Sequence, residues 1–166
     1  MRIVYVHHAL RQTGNPPSQN DGIQPLGEKD AETVSKILKQ MTGYCNFKAI
    51  YTSPYYRCVK TAEIINKYIQ VPIVEDSRLN EFVDGKNGAI VIHPESWLEC
   101  QLRIREAIKD IALKYDDKDT VVCVTSGVNI TAFISLAFKI EPSNDLPLPI
   151  VPGCSPICFN IDKSCF

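Results

Sequence analysis

Short runs of β-branched and aromatic residues alternate along this chain with stretches whose apolar residues recur every three or four positions. That alternation constrains the fold more than any other feature. Arg2 to Val6 (RIVYV), Ala49 to Thr52, Val71 to Val74, Thr120 to Val124 (TVVCV) and Ile157 to Ile161 read as strands. Ala31, Val34, Ile37, Leu38 and Met41 form one helical stripe, ending before Gly43. Cys58, Ala62, Ile65 and Ile69 form a second, which Ser53-Pro54 is expected to open, because a proline in the first turn gives up no hydrogen bond. Trp97, Cys100, Ile104, Ile108, Ile111 and Tyr115 form a long third, and Gly127 to Lys139 a fourth. Strands that are apolar at every position are buried on both faces, so the pattern predicts a three-layer α/β sandwich: a mostly parallel central sheet with helices on both sides. At 166 residues, one domain spanning 1–166 is expected. Asp76 to Pro94 has no period and reads as a long loop of the kind that carries function.

Charge and cysteine content remove several function classes. Lys and Arg number 18 against 19 Asp and Glu, with no basic run, so neither nucleic acid nor an anionic membrane surface is an expected partner. The most apolar stretch, Gly127 to Ile140, carries Asn129, Thr131, Ser135 and Lys139, which suits a core helix better than lipid. Seven scattered cysteines without a secretory pattern read as reduced thiols of a cytoplasmic protein. Cys154 and Cys158 lack a second pair at metal spacing, so no metal or other cofactor is expected.

In a parallel sheet, ligands bind beyond the carboxyl ends of the strands. The residues found there are His7, His8 and Arg11 after the first strand, Ser53 and Arg57 after the second, and Thr125, Ser126 and Gly127 after TVVCV. Imidazoles, guanidinium groups, hydroxyls and helix N-termini together suit an anion, and phosphate in particular.

These segments resemble the histidine phosphatase superfamily, also called phosphoglycerate mutase-like. Ile50 to Ala62 (IYTSPYYRCVKTA) looks like that family's strand-Ser-Pro-x-x-Arg-x-x-x-Thr-Ala segment. Ile3 to Ala9 resembles its opening strand and Arg-His-Gly signature, Pro25-Leu26 the start of its first helix, and Leu79-x-Glu81 its acidic loop. Val121 to Gly127 resembles the strand ending in Ser-His-Gly, and Pro152 to Ile161 the closing strand. The resemblance implies the family's fold and a phosphorylated small molecule or phosphoprotein as partner. It makes His8 the nucleophile that would become a phosphohistidine and Glu81 the acid for the leaving oxygen. It also makes Arg57 a phosphate ligand, with His7, Arg11 and Ser126 around the same group.

The chain departs from the family pattern at this site. His7 stands where the family has arginine, Ala9 where it has glycine, and Ser126 where it has its second catalytic histidine. Serine donates one neutral hydrogen bond and carries no charge. If each lost group behaves like a deleted oxyanion donor, two independent losses cost about 10⁴ in rate. Two readings follow. In one, the chain binds phosphate esters with impaired or lost turnover; in the other, it is a phosphomonoester or phosphohistidine phosphatase working through phospho-His8. Arg11, four positions after His7, and His93 in the long loop are candidates to compensate. A serine-hydrolase elbow at Ser126 is disfavoured, because Val124 stands where that motif needs glycine. The short stretch from Glu81 to Ser126 leaves little room for the capping insertions of a mutase.

Overall fold

The computed structural model describes residues 1–12, 18–82, 94–137 and 152–165. In chain order these form β1 (Arg2–His7), α1 (Pro25–Met41), β2 (Asn46–Thr52), α2 (Tyr56–Ile69), β3 (Ile73–Glu75), a 3₁₀ turn (Ser77–Leu79), α3 (Trp97–Lys114), β4 (Asp119–Thr125), α4 (Gly127–Ala137), β5 (Pro156–Asn160) and a second 3₁₀ turn (Lys163–Cys165). The five strands make one sheet in the order β3-β2-β4-β1-β5. β1 and β2 flank β4 in parallel, β3 runs parallel to β2, and β5 closes the edge antiparallel to β1.

Alternation within the strands sorts their side chains onto two cores. Ile3, Tyr5, Val121 and Cys123 face Ile104, Ile108 and Ile111 of α3 and Ile130 of α4. Val4, Val6, Val122 and Val124 face Leu38 of α1 and Ile65 of α2. The sheet is therefore flanked by helices on both faces, as the apolar strands require.

Helix boundaries follow local chemistry. Ser96 caps α3 with a capping box, its Oγ accepting from Glu99 N at 3.3 Å while Glu99 Oε2 accepts from Ser96 N at 2.8 Å. The stripe from Ala31 to Met41 falls on α1, which begins earlier, at Pro25. The expected start of α2 at Ser53-Pro54 is corrected: Tyr55 is extended and the helix begins at Tyr56. Ser53 to Tyr55 instead make a turn, in which Ser53 Oγ accepts from Tyr55 N at 3.2 Å.

Candidate active site

The carboxyl ends of β1, β4 and β2 lie side by side, so the segments following them share one edge of the sheet. His7 and His8 are pinned there from two sides. His8 N donates to Thr125 O at 2.9 Å, extending the β1–β4 ladder, and Cys154 N donates to His7 O at 2.9 Å. The next residue is tied to α2, because Ala9 N donates to Thr61 Oγ1 at 2.9 Å and that hydroxyl donates to Arg57 O at 2.7 Å. The four-residue spacing of Arg57 and Thr61 puts both on one helix face, so one threonine joins the arginine's helix to the histidine's loop. Gly27 allows α1 to close on this loop: a Cβ there would stand 2.7 Å from Leu10 O and 2.8 Å from Leu10 N.

His8 is buried, and its neighbours settle its tautomer. Arg57 Nε donates to His8 Nε2 at 3.2 Å. A guanidinium cannot accept, so Nε2 presents its lone pair and the ring proton is on Nδ1, where it is donated to Ala9 O at 2.9 Å. Burial is the main force on its ionisation, joined by the His7 ring and the Arg57 and Arg11 charges and opposed by the Ala9 carbonyl. Together they lower the imidazole from its ordinary 6.5 to about 3. His8 is thus a neutral base with Nε2 facing the crevice's cation, the state a nitrogen nucleophile needs. The His7 ring lies at 4.5 Å from it, edge to face.

Arg57 is also buried, and every part of its fork is engaged. Besides Nε on His8, Nη1 donates to Ser18 O at 3.1 Å, Nη2 is paired with Glu81 Oε2, and the guanidinium lies over the Tyr55 ring at 4.8 Å. The structure therefore brings His7, His8, Arg57 and Glu81 together.

The other expected residues stand differently. Arg11 Nη1 pairs with Asp21 Oδ2 at 3.3 Å, so Arg11 influences His8 through its charge while its fork is held by the following loop. Ser126 Oγ accepts from Asn129 N at 3.4 Å, at the start of α4, where a serine serves as a helix cap. His93 lies outside the described residues.

Of the residues that hold the acidic loop, the sequence pointed to Ser53 and Thr125 as ligand candidates, while Asn129 and Arg103 were not singled out for the site. Asn129 Nδ2 donates to Leu79 O at 2.9 Å, to Asn80 O at 2.7 Å and to Thr125 Oγ1 at 2.9 Å. Thr125 Oγ1 donates to Leu79 O at 2.7 Å, and Ser53 Oγ to Asn80 Oδ1 at 2.7 Å. Arg103 Nη1 reaches Arg78 O and Asn80 O from the other side. The one available signal was a buried-helix asparagine three residues after a serine cap.

Cys45, Cys58, Cys100, Cys123, Cys154 and Cys158 are free thiols. Burial pushes the Cys58 thiol up to about 12, which leaves it a poor nucleophile despite its place next to Arg57. No group of three or more His, Cys, Asp or Glu able to hold a metal ion is present among the described residues, and no described helix is long and apolar enough to cross a membrane.

Residues 11–87 match the family model of the histidine phosphatase superfamily (branch 1), a span that begins just after His8 and contains Arg57 and Glu81. No curated protein matches the sequence. Among solved structures, YhfR of Bacillus stearothermophilus is similar with a TM-score of 0.81 and 24% identity, over 97% of this chain and 91% of that one. A mycobacterial glucosyl-3-phosphoglycerate phosphatase in complex with VO3 is similar with a TM-score of 0.73 and 18% identity, over 95% and 90%. The protein histidine phosphatase SixA, complexed with tungstate, is similar with a TM-score of 0.72 and 11% identity, over 99% and 90%. At these identities the likeness is one of fold.

Proposed function

We propose that this chain, histidine phosphatase-like in fold and matched to that superfamily over residues 11–87, binds the phosphoryl group of a phosphate ester between His8 and Arg57 and turns it over poorly. The observation that carries the reading is the charge balance around His8. Its cationic hydrogen-bond partner is Arg57, and that guanidinium is already paired with Glu81. The Ser126 hydroxyl accepts from a backbone N–H, and the Arg11 fork is on Asp21. A phosphoryl transition state spreads negative charge over its equatorial oxygens, and among these described residues Arg57 and Arg11 are paired with carboxylates while Ser126 offers one neutral hydroxyl.

Binding follows from the same contacts. An oxyanion entering the crevice takes the Arg57 N–H groups from His8 Nε2 and Glu81, and the freed Nε2 lone pair then faces phosphorus. The ester enters as its monoanion and leaves its proton on the Glu81 carboxylate released from Arg57; attack then forms the Nε2–P bond and breaks the bond to the leaving oxygen, which takes that proton from Glu81. The Nδ1–H donated to Ala9 O supports the charge that the ring gains. Water then cleaves Nε2–P, giving its proton to the Glu81 carboxylate, and releases phosphate. The same neutral, anchored imidazole favours a second reading, an active phosphatase through phospho-His8.

The ligand is a phosphorylated small molecule or a phosphoprotein, the two kinds of substrate named for the mycobacterial phosphatase and for SixA. The free thiols fit a reducing, cytoplasmic setting. The test is rapid-quench reaction with a labelled aryl phosphate, alongside phosphate titration followed by ³¹P NMR. The expected outcome is Arg57-dependent phosphate binding, with turnover about 10⁴-fold below an efficient phosphatase. Stoichiometric phospho-His8 with rapid release would establish the second reading instead. Absence of phosphate binding would sink both.

A further inference from the structure

The segment before Glu81 is held more firmly than its lack of regular structure requires. Donors from four places converge on three acceptors of two successive residues, the Leu79 carbonyl, the Asn80 carbonyl and the Asn80 side-chain oxygen: Thr125 at the end of β4, Asn129 in α4, Arg103 in α3 and Ser53 after β2. Asn129 is the hub of this arrangement. It is fully buried, and its single amide nitrogen serves the Leu79 carbonyl, the Asn80 carbonyl and the Thr125 hydroxyl. Glu81 follows directly and places its carboxylate on Arg57, the cation that also hydrogen-bonds His8.

We propose that Asn129 is a positioning residue: by holding the Leu79 and Asn80 carbonyls it seats the Glu81 carboxylate on Arg57, where that carboxylate competes with an incoming oxyanion. The proposal rests on the phosphate-binding reading of the site and adds to it the device that sets how tightly phosphate binds. A carboxylate and a phosphate compete for the same guanidinium fork, and each must displace the other. The strap favours a resident competitor, since a loop fixed at Leu79 and Asn80 keeps the Glu81 backbone within reach of Arg57.

Asn129→Leu removes the amide and keeps the volume. Both carbonyls retain a second donor, Thr125 Oγ1 on Leu79 O and Arg103 Nη1 on Asn80 O, so neither is left unsatisfied. Asn129→Ser, too short to reach either carbonyl, is the milder alternative should the leucine variant fail to fold. Inorganic phosphate is titrated into the wild type, Glu81→Gln, each Asn129 variant and the double variants, with binding read by ³¹P NMR or calorimetry.

Removing the competing charge in Glu81→Gln tightens phosphate binding about tenfold. Loosening the strap tightens it in the same direction, about threefold, and adds nothing once Gln stands at 81. General destabilisation gives neither a tighter ligand nor that dependence on residue 81. Unchanged or weaker binding in both Asn129 variants, while Glu81→Gln binds more tightly, overturns the role of Asn129 and leaves the phosphate site standing. Loss of the whole proposal, site included, would show as no phosphate binding in either wild type or Glu81→Gln.

Discussion

On the β1 and β2 side of the candidate site, side chains aim their polar atoms at one another: Arg57 Nε donates to His8 Nε2. On the β4 and α4 side, side chains of similar reach aim theirs at the protein. Ser126 accepts from the Asn129 backbone, while Thr125 and Asn129 donate to the carbonyls of the acidic loop. His8 and Arg57 on one side and Thr125, Ser126 and Asn129 on the other are all buried and hydrogen-bonded, so burial does not distinguish them. The difference is charge: one side holds a cation beside a neutral imidazole, whereas the other supplies neutral side chains, with Thr125 and Asn129 donating to backbone carbonyls. A site of this kind grips an anion from one side and gives little extra stabilisation to the more highly charged transition state.

Arg57→Ala gives the largest expected effect, because it empties the gripping side. Phosphate affinity should fall by about 10²-fold or more, the loss expected of a buried charge-assisted fork. Titration by ³¹P NMR reads this directly, and retained affinity would show that the two sides are not divided as described.

Ser126→His sharpens the comparison from the other side by placing an imidazole where the hydroxyl now caps α4. Any turnover of an aryl phosphate should rise by about 10- to 100-fold, even though loss of the cap costs about 1 kcal/mol of stability. Paired kinetic and thermal-melt measurements separate the two consequences.

A third effect comes from His8 alone. Its folded value of about 3 lies below its ordinary 6.5. Between those limits the unfolded chain binds a proton that the folded chain refuses. Stability that is intact above pH 6.5 is therefore lost as pH falls toward 3, at up to about 1.4 kcal/mol per pH unit. Urea unfolding across this range should show a steeper acid slope for the wild type than for His8→Gln. Equal slopes would mean that His8 is not held neutral.

Arg11→Ala should do least. With its fork on Asp21, Arg11 contributes to the site only through space, and phosphate affinity should drop by no more than about twofold. A much larger loss in the same titration would place Arg11 among the direct phosphate ligands.

The parts of the fold that were readable from sequence are those in which one physical pattern dominates. TVVCV is buried on both faces and reads as a central strand, which β4 is. The spacing from Trp97 to Tyr115 marks α3 to within a residue of its end. Arg57 was readable because it follows the second strand within the segment Ser53-Pro54 to Thr61-Ala62 that resembles a family motif. The start of α2 was not, since Ser53 has two partners within reach and uses its hydroxyl on the turn and on Asn80. The engagement of Arg11 by Asp21 depends on how their shared loop folds back, and the grip of Asn129 on two carbonyls depends on contacts across the fold. Donors that bind backbone carbonyls leave no trace in side-chain periodicity.

The central claim is that His8 and Arg57 form an oxyanion site, and a crystal of the protein soaked in vanadate tests it most directly. The expected result is vanadate against His8 Nε2, with Arg57 turned from Glu81 onto its oxygens. Vanadate bound elsewhere, or a crevice in which Arg57 keeps Glu81 and His8 at saturating vanadate, would contradict it.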